Sequence, residues 1–159
     1  ELCEKNSDPR ARLHFTDGIK WVADAKPGSY DVIIVDSTDP VGPAAGLFSE
    51  TFYMNCHRAL RPHGIVVGQS ESPLFHPDLI VAMHKAMRAA GFNDTATLQF
   101  HQVTYPSAWW SCTMACKDTA LNGFREDAAK AKDFATRYYN AAIHNAARVL
   151  PEFLVQALR

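Results

Sequence analysis

Asp36 and Asp39 stand three residues apart in Asp36-Ser37-Thr38-Asp39, and Pro40, Gly42 and Pro43 follow at once. Two carboxylates at that spacing, in a loop stiffened by prolines, can hold a cation and take a proton from it. The same pattern suits a turn in which both acids cap backbone amides. Local sequence leaves the two readings open. The element that must deliver the acids is clearer. Tyr30–Val35 reads as a buried strand, with β-branched Val32, Ile33, Ile34 and Val35 in succession. In open α/β sheets ligands bind beyond the carboxyl ends of the strands, which is where this loop begins.

With 159 residues, 47% of them hydrophobic, the chain can bury one core. A net charge of -1 gives no basic footprint for nucleic acid. The longest apolar runs are strand-sized and no signal peptide opens the chain, so neither a membrane span nor secretion is expected. Cys3, Cys56, Cys112 and Cys116 lack metal-type spacing and read as reduced packing residues of a cytoplasmic protein. The seven histidines likewise lack zinc-site spacing, and no metal is expected.

Strand and helix signals alternate. A short strand is expected at Arg12–Thr16, a brief helix around Ile19–Ala25, then the strand at Tyr30–Val35. Ser49 is a candidate N-cap for a helix burying Phe52, Tyr53, Cys56 and Leu60. Arg61-Pro62-His63-Gly64 should end it before a strand at Ile65–Gln69. Pro77 opens a helix with a Leu79–Met83–Met87 stripe, read as core, and Gly91 closes it. Thr95–Val103 and Trp109–Lys117 should pair antiparallel across the short turn Thr104–Ala108. Beyond Asp118 the chain becomes alanine-rich and helical, with Pro151 separating two last helices. The alternation predicts an α/β fold, a doubly wound sheet with an antiparallel edge.

Several spaced motifs occur in order: DSTDPVGPA, LFSETFY, GIVVGQSES, VTYPSAWWS, TRYYN and LPEF. Together they closely resemble the spermidine synthase (polyamine aminopropyltransferase) family over nearly the whole chain. The resemblance implies a Rossmann-like, methyltransferase-type fold. It also implies transfer of a 3-aminopropyl group from decarboxylated S-adenosylmethionine, a co-substrate rather than a cofactor, to an amine. Putrescine is the usual acceptor; spermidine and 5'-methylthioadenosine are the products. A homo-oligomer, dimer or tetramer, is the family default.

No Gly-rich strand-to-helix turn of the nucleotide-binding kind is present. The resemblance aligns the chain with the later part of the family pattern. Residues 1–159 are therefore expected to be the C-terminal portion of a catalytic domain that lacks the first strands and the N-terminal β domain. Such a portion is expected to be inactive alone, and Tyr30–Val35 to be an exposed apolar edge. Two other readings stand beside this one: a putrescine N-methyltransferase, and a truncated, non-catalytic assembly module.

Residue by residue, Asp36 resembles the family's base and Asp39 the acid that helps hold the amine. Acids around an ammonium stabilise its charge, so Asp36 would act mainly by positioning and by accepting the proton as the new bond forms. Gln69 and Tyr105 match residues close to the substrate amine, and Glu71 either joins them or stabilises its loop. Asp17 and Gly18 match the pair that contacts adenine, although alone they read as a strand-ending turn. Pro43 and Ala44 belong to a gatekeeping loop that Gly42 and Gly46 allow to bend. Ala108 stands where the family often has Gly, and Trp109-Trp110 makes the amine wall bulkier, so acceptor preference is the property these departures affect.

Overall fold

The computed structural model describes residues 8–121 and 123–159. Four strands form one mixed sheet in the order β1-β2-β4-β3. They are β1 (Tyr30–Val35), β2 (Leu60–Gln69), β3 (Asp94–His101) and β4 (Trp109–Cys116). β1 and β2 run parallel, whereas β4 is antiparallel to both β2 and β3. The expected hairpin therefore forms, but its second strand lies inside the sheet and its first at the edge.

Three helices lie between and beside the early strands: α1 (Gly18–Asp24), α2 (Glu50–Ala59) and α3 (Pro77–Ala89). Each begins where local chemistry satisfies free amides. The Asp17 carboxylate accepts from the Ile19 and Lys20 amides, and the Ser49 hydroxyl accepts from Phe52 N at 3.2 Å. Pro77 occupies the first turn of α3, and Gly91 follows its end at φ 95°. Phe52, Tyr53, Cys56, Met83 and Met87 bury their side chains against Val66 and Ala115 of the sheet. The methionine stripe is core, as its spacing predicts.

On the opposite face, α4 (Glu126–Lys130) and α5 (Ala141–Ala147) border a cavity of about 890 Å³ floored by Ile65, Leu98 and Met114. α6 (Glu152–Ala157) follows Pro151. Helices on both faces make the sheet doubly wound.

Three expectations need correcting. Residues 12–16 form no strand, and Phe15 is 92% exposed, because no described neighbour offers them a ladder. β2 begins at Leu60 rather than Ile65: Leu60 already pairs with Tyr30, and the register then jumps so that Val32 faces Ile65. Arg61–Gly64 is an interruption within the strand, not a loop before it. The alanine-rich tail holds only short helices, with residues 131–140 irregular. Cys3 lies outside the described residues. Cys56 is buried and Cys112 half-buried, and desolvation pushes their thiols up to about 12 and about 11, which fits inert packing residues.

β1 is an edge strand, with Val32 54% and Ile34 73% exposed. The exposed apolar edge expected from the sequence is therefore present in the described chain.

Candidate active site

Beyond the carboxyl ends of β1 and β2 the chain forms an open cavity of about 850 Å³. Asp36, Asp39, Gln69 and Tyr105 line it together, with Ser37, Gln102, Phe100 and Trp110 completing the wall. Two carboxylates and no lysine or arginine line this space, so it suits a cation. Among the described residues no backbone amide is bonded to the Asp36 or Asp39 side chain, so the capping role does not apply to them. It applies to Asp17.

A second, more apolar cavity of about 390 Å³ lies along β1, lined by Gly18, Trp21, Leu47 and Phe52. Asp36 and Ser37 line both cavities. This follows from strand geometry: Asp36 is the first residue beyond β1, where the loop turns across the end of the strand.

Of the other sequence-derived candidates, Gly18 faces the apolar cavity, while the Asp17 carboxylate is occupied by the α1 amides. Pro43 and Ala44 sit in a 3-10 helix, Gly42–Phe48, and line neither cavity. Gly42 takes φ 60°, a left-handed conformation that glycine adopts without strain. Gly46 serves a different purpose: a Cβ there would meet Ile19 Cδ1 at 2.7 Å, so it permits close packing on α1.

Glu71, left open between two roles by the sequence, is tightly held. It is 3% exposed and its backbone is left-handed at φ 62°, an uncommon state for glutamate. Gln69 fixes it at both ends: Gln69 Nε2 donates to Glu71 Oε1, and Glu71 N donates to Gln69 Oε1, each at 3.1 Å. Desolvation pushes its carboxyl above the ordinary range; the Asp39 carboxylate beside it adds to this, while Gln69 and His76 oppose it. His76 Nδ1 stands 3.9 Å from Glu71 Oε2.

The far wall is held by aromatic stacking. Tyr105 lies against Trp110 with ring centroids 4.3 Å apart and planes tilted 20°. Trp109 turns away instead, donating to Gln99 Oε1 at 2.7 Å and meeting Phe153 edge-on. Only Trp110 thickens the wall, which corrects the expectation for the tryptophan pair. Ser72 Oγ and Ser107 Oγ, 2.9 Å apart, tie the Gln69–Ser72 segment to the Tyr105 turn.

Ala108, in that turn, takes φ 51°, a conformation glycine adopts without the Cβ penalty. Ala108→Gly should therefore stabilise the chain by about 1 kcal/mol in urea unfolding. No gain would show that the turn relaxes around the methyl group.

The fold and site define an α/β, methyltransferase-like sheet with an acidic cavity at its strand ends. Similar proteins narrow the class further. A profile of the spermine/spermidine synthase domain matches residues 1–125. The polyamine aminopropyltransferase of Methylococcus capsulatus (strain Bath) is 65% identical over 100% of this chain and 55% of its own length. That of Thioalkalivibrio sulfidiphilus is 60% identical over 99% of this chain and 56% of its own. Among solved structures, a spermidine synthase in complex with the transition-state analogue AdoDATO superposes with TM-score 0.89 at 31% identity, over 99% of this chain and 55% of that one. Spermidine synthase from Thermotoga maritima gives 0.86 at 31%, over 99% and 54%. The chain spans about 55% of the relatives it matches. It belongs to the spermine/spermidine synthase family.

Proposed function

We propose that this chain carries the acceptor-amine half of an aminopropyltransferase, moving a 3-aminopropyl group from decarboxylated S-adenosylmethionine to putrescine. The observation that supports this most is the position of Asp36 between an apolar cavity and an acidic one. A two-substrate transfer needs one group where the substrates meet.

The apolar cavity suits a nucleoside bearing a sulfonium, and the acidic cavity suits a diamine. In the transfer, the amine nitrogen's lone pair attacks the methylene carbon beside the sulfonium. A C–N bond forms, the C–S bond breaks, and sulfur keeps the electron pair as a neutral thioether. The nitrogen's surplus proton passes to Asp36. Asp39 and Gln69 hold the amine, and the Tyr105 ring offers a cation–π face. Positioning supplies most of the rate, because a carboxylate is a much weaker base than an amine. The leaving thioether needs no Lewis acid. A homo-oligomeric assembly in the cytoplasm accompanies this reading; no described helix is long and apolar enough to cross a membrane.

The natural gene product, given both substrates, should release spermidine and 5'-methylthioadenosine in equal amounts by mass spectrometry. N-methylputrescine formed from ordinary S-adenosylmethionine would replace this reading with a methyltransferase. The 159-residue chain by itself is expected not to bind 5'-methylthioadenosine, since no described turn offers a glycine-rich cradle for it. Tight binding in a calorimetric titration would overturn that.

A further inference from the structure

Behind the acidic cavity, under α3, an unbroken line of polar side chains that the reaction itself does not use runs from exposed Arg88 and half-buried Thr95 into buried His84, Thr97, Thr113, Ser70 and Ser111. It starts at Arg88 Nη1, 3.0 Å from Thr95 Oγ1. Thr95 Oγ1 is 2.8 Å from His84 Nδ1, and His84 Nε2 is 2.8 Å from Thr97 Oγ1. Thr97 meets Thr113 at 2.9 Å, Thr113 meets Ser70 at 3.0 Å, and Ser70 meets Ser111 at 2.8 Å. Ser111 Oγ ends the line 2.8 Å from the Glu71 carbonyl oxygen.

The carbonyl end fixes the direction of the protons as far as His84. A carbonyl only accepts, so Ser111 donates to Glu71. Each hydroxyl has one proton to give, so Ser70 must donate to Ser111, Thr113 to Ser70, and Thr97 to Thr113. Thr97 then needs a donor, so His84 carries a proton on Nε2. With the buried ring neutral, Nδ1 has no proton and accepts from the Thr95 hydroxyl, whose oxygen is free to accept. The group facing that oxygen is a guanidinium, which can only donate. Each group gives one proton and every bond receives one. Burial, with Arg88 adding and Asp94 opposing, lowers the His84 imidazole to about 4, so it stays neutral.

We propose that this one-way hydrogen-bond chain is the positioning device of the amine site, holding the left-handed Glu71 and hence Gln69 in the orientation that faces the acceptor. The inference rests on the aminopropyl-transfer reading. The terminal bond grips the Glu71 backbone, Glu71 fixes the Gln69 amide at both ends, and Gln69 lines the cavity with Asp36 and Asp39. His84 and the hydroxyls are therefore positioning residues, and none of them lines the amine cavity.

Two measurements on the natural gene product test this. Nitrogen-15 spectra of the imidazole at neutral pH should show His84 as the Nε2–H tautomer; the Nδ1–H tautomer would break the chain's direction and overturn the proposal. Thr113→Val removes one link at nearly constant volume. It should raise the amine KM about tenfold with kcat and the sulfonium KM little changed, while Thr113→Ser restores the wild-type value. A folded valine variant with an unchanged amine KM would refute the device while leaving the transfer reading intact. Loss of transfer in the wild type would remove both. The ring spectrum needs no variant, so the proposal stays testable even if the valine protein unfolds.

Discussion

On the proposed aminopropyl-transfer reading, replacing Asp36 by asparagine in the natural gene product should lower transfer by roughly 10²–10⁴-fold and leave the fold intact. Asparagine keeps the size and polarity of the side chain but cannot take a proton. Asp36 is exposed and lies just beyond the end of β1, so its loss should change stability by no more than about 0.5 kcal/mol. Asp36 lines both cavities, and no other acid described here does. The defect should therefore fall on kcat, with substrate KM values little altered. Asp39→Asn gives the contrasting result: a raised amine KM, and a Glu71 carboxyl moved back toward its ordinary range once its anionic neighbour is gone. Methylthioadenosine release over a range of amine concentrations measures both. If Asp36→Asn retained more than about a tenth of wild-type kcat, the proton would have to leave by another route.

Acid should unfold this protein through His84. The imidazole is buried and neutral in the fold at about 4, against an ordinary value of 6.5. A lowered pKa in the fold means that the unfolded chain binds the proton more readily. The stability His84 contributes is complete above pH 6.5 and drains away as pH falls from 6.5 through 4. The full difference corresponds to about 3 kcal/mol, or a melting temperature lower by about 10 °C for a chain of this size. Carboxylates titrate in part of the same window, so the decisive quantity is the difference between wild type and His84→Gln. The glutamine protein should start less stable at pH 7.5 and lose markedly less between pH 6.5 and 4. Parallel stability curves for the two would show that His84 is not held neutral by the fold.

Much of the architecture was legible before any coordinates. The strand at Tyr30–Val35, the Ser49 cap, Pro77 opening α3 and Gly91 closing it all follow from local chemistry, and local chemistry survives folding. Period-two and period-3.6 patterns also placed Met83 and Met87 in the core. The failed strand at residues 12–16 shows the limit of such reasoning. A strand exists only with a partner, and local pattern cannot say whether the partner is there.

The candidate site divides along the same line. Asp36-Ser37-Thr38-Asp39 at the end of an apolar strand announced a cation site, and motif resemblance added Gln69 and Tyr105. Residue types alone could not separate Asp17, which spends its carboxylate on helix amides, from Asp36 and Asp39, which leave theirs facing the cavity. Glu71 depends on a left-handed backbone and on a neighbour 32 positions away in sequence, Asp39. The hydroxyl chain does leave a faint trace, Thr95 and Thr97 alternating on one strand and Ser111 and Thr113 on the next. What the sequence by itself determined is which residues could form strands, caps and carboxylate ligands, because those choices rest on bond rotations and side-chain chemistry close along the chain. The tertiary structure decided the rest: β4 enters the sheet beside β2, bringing Ser111 and Thr113 under the Gln69–Ser72 segment, and hydrogen bonds form only between groups that the fold holds about 3 Å apart.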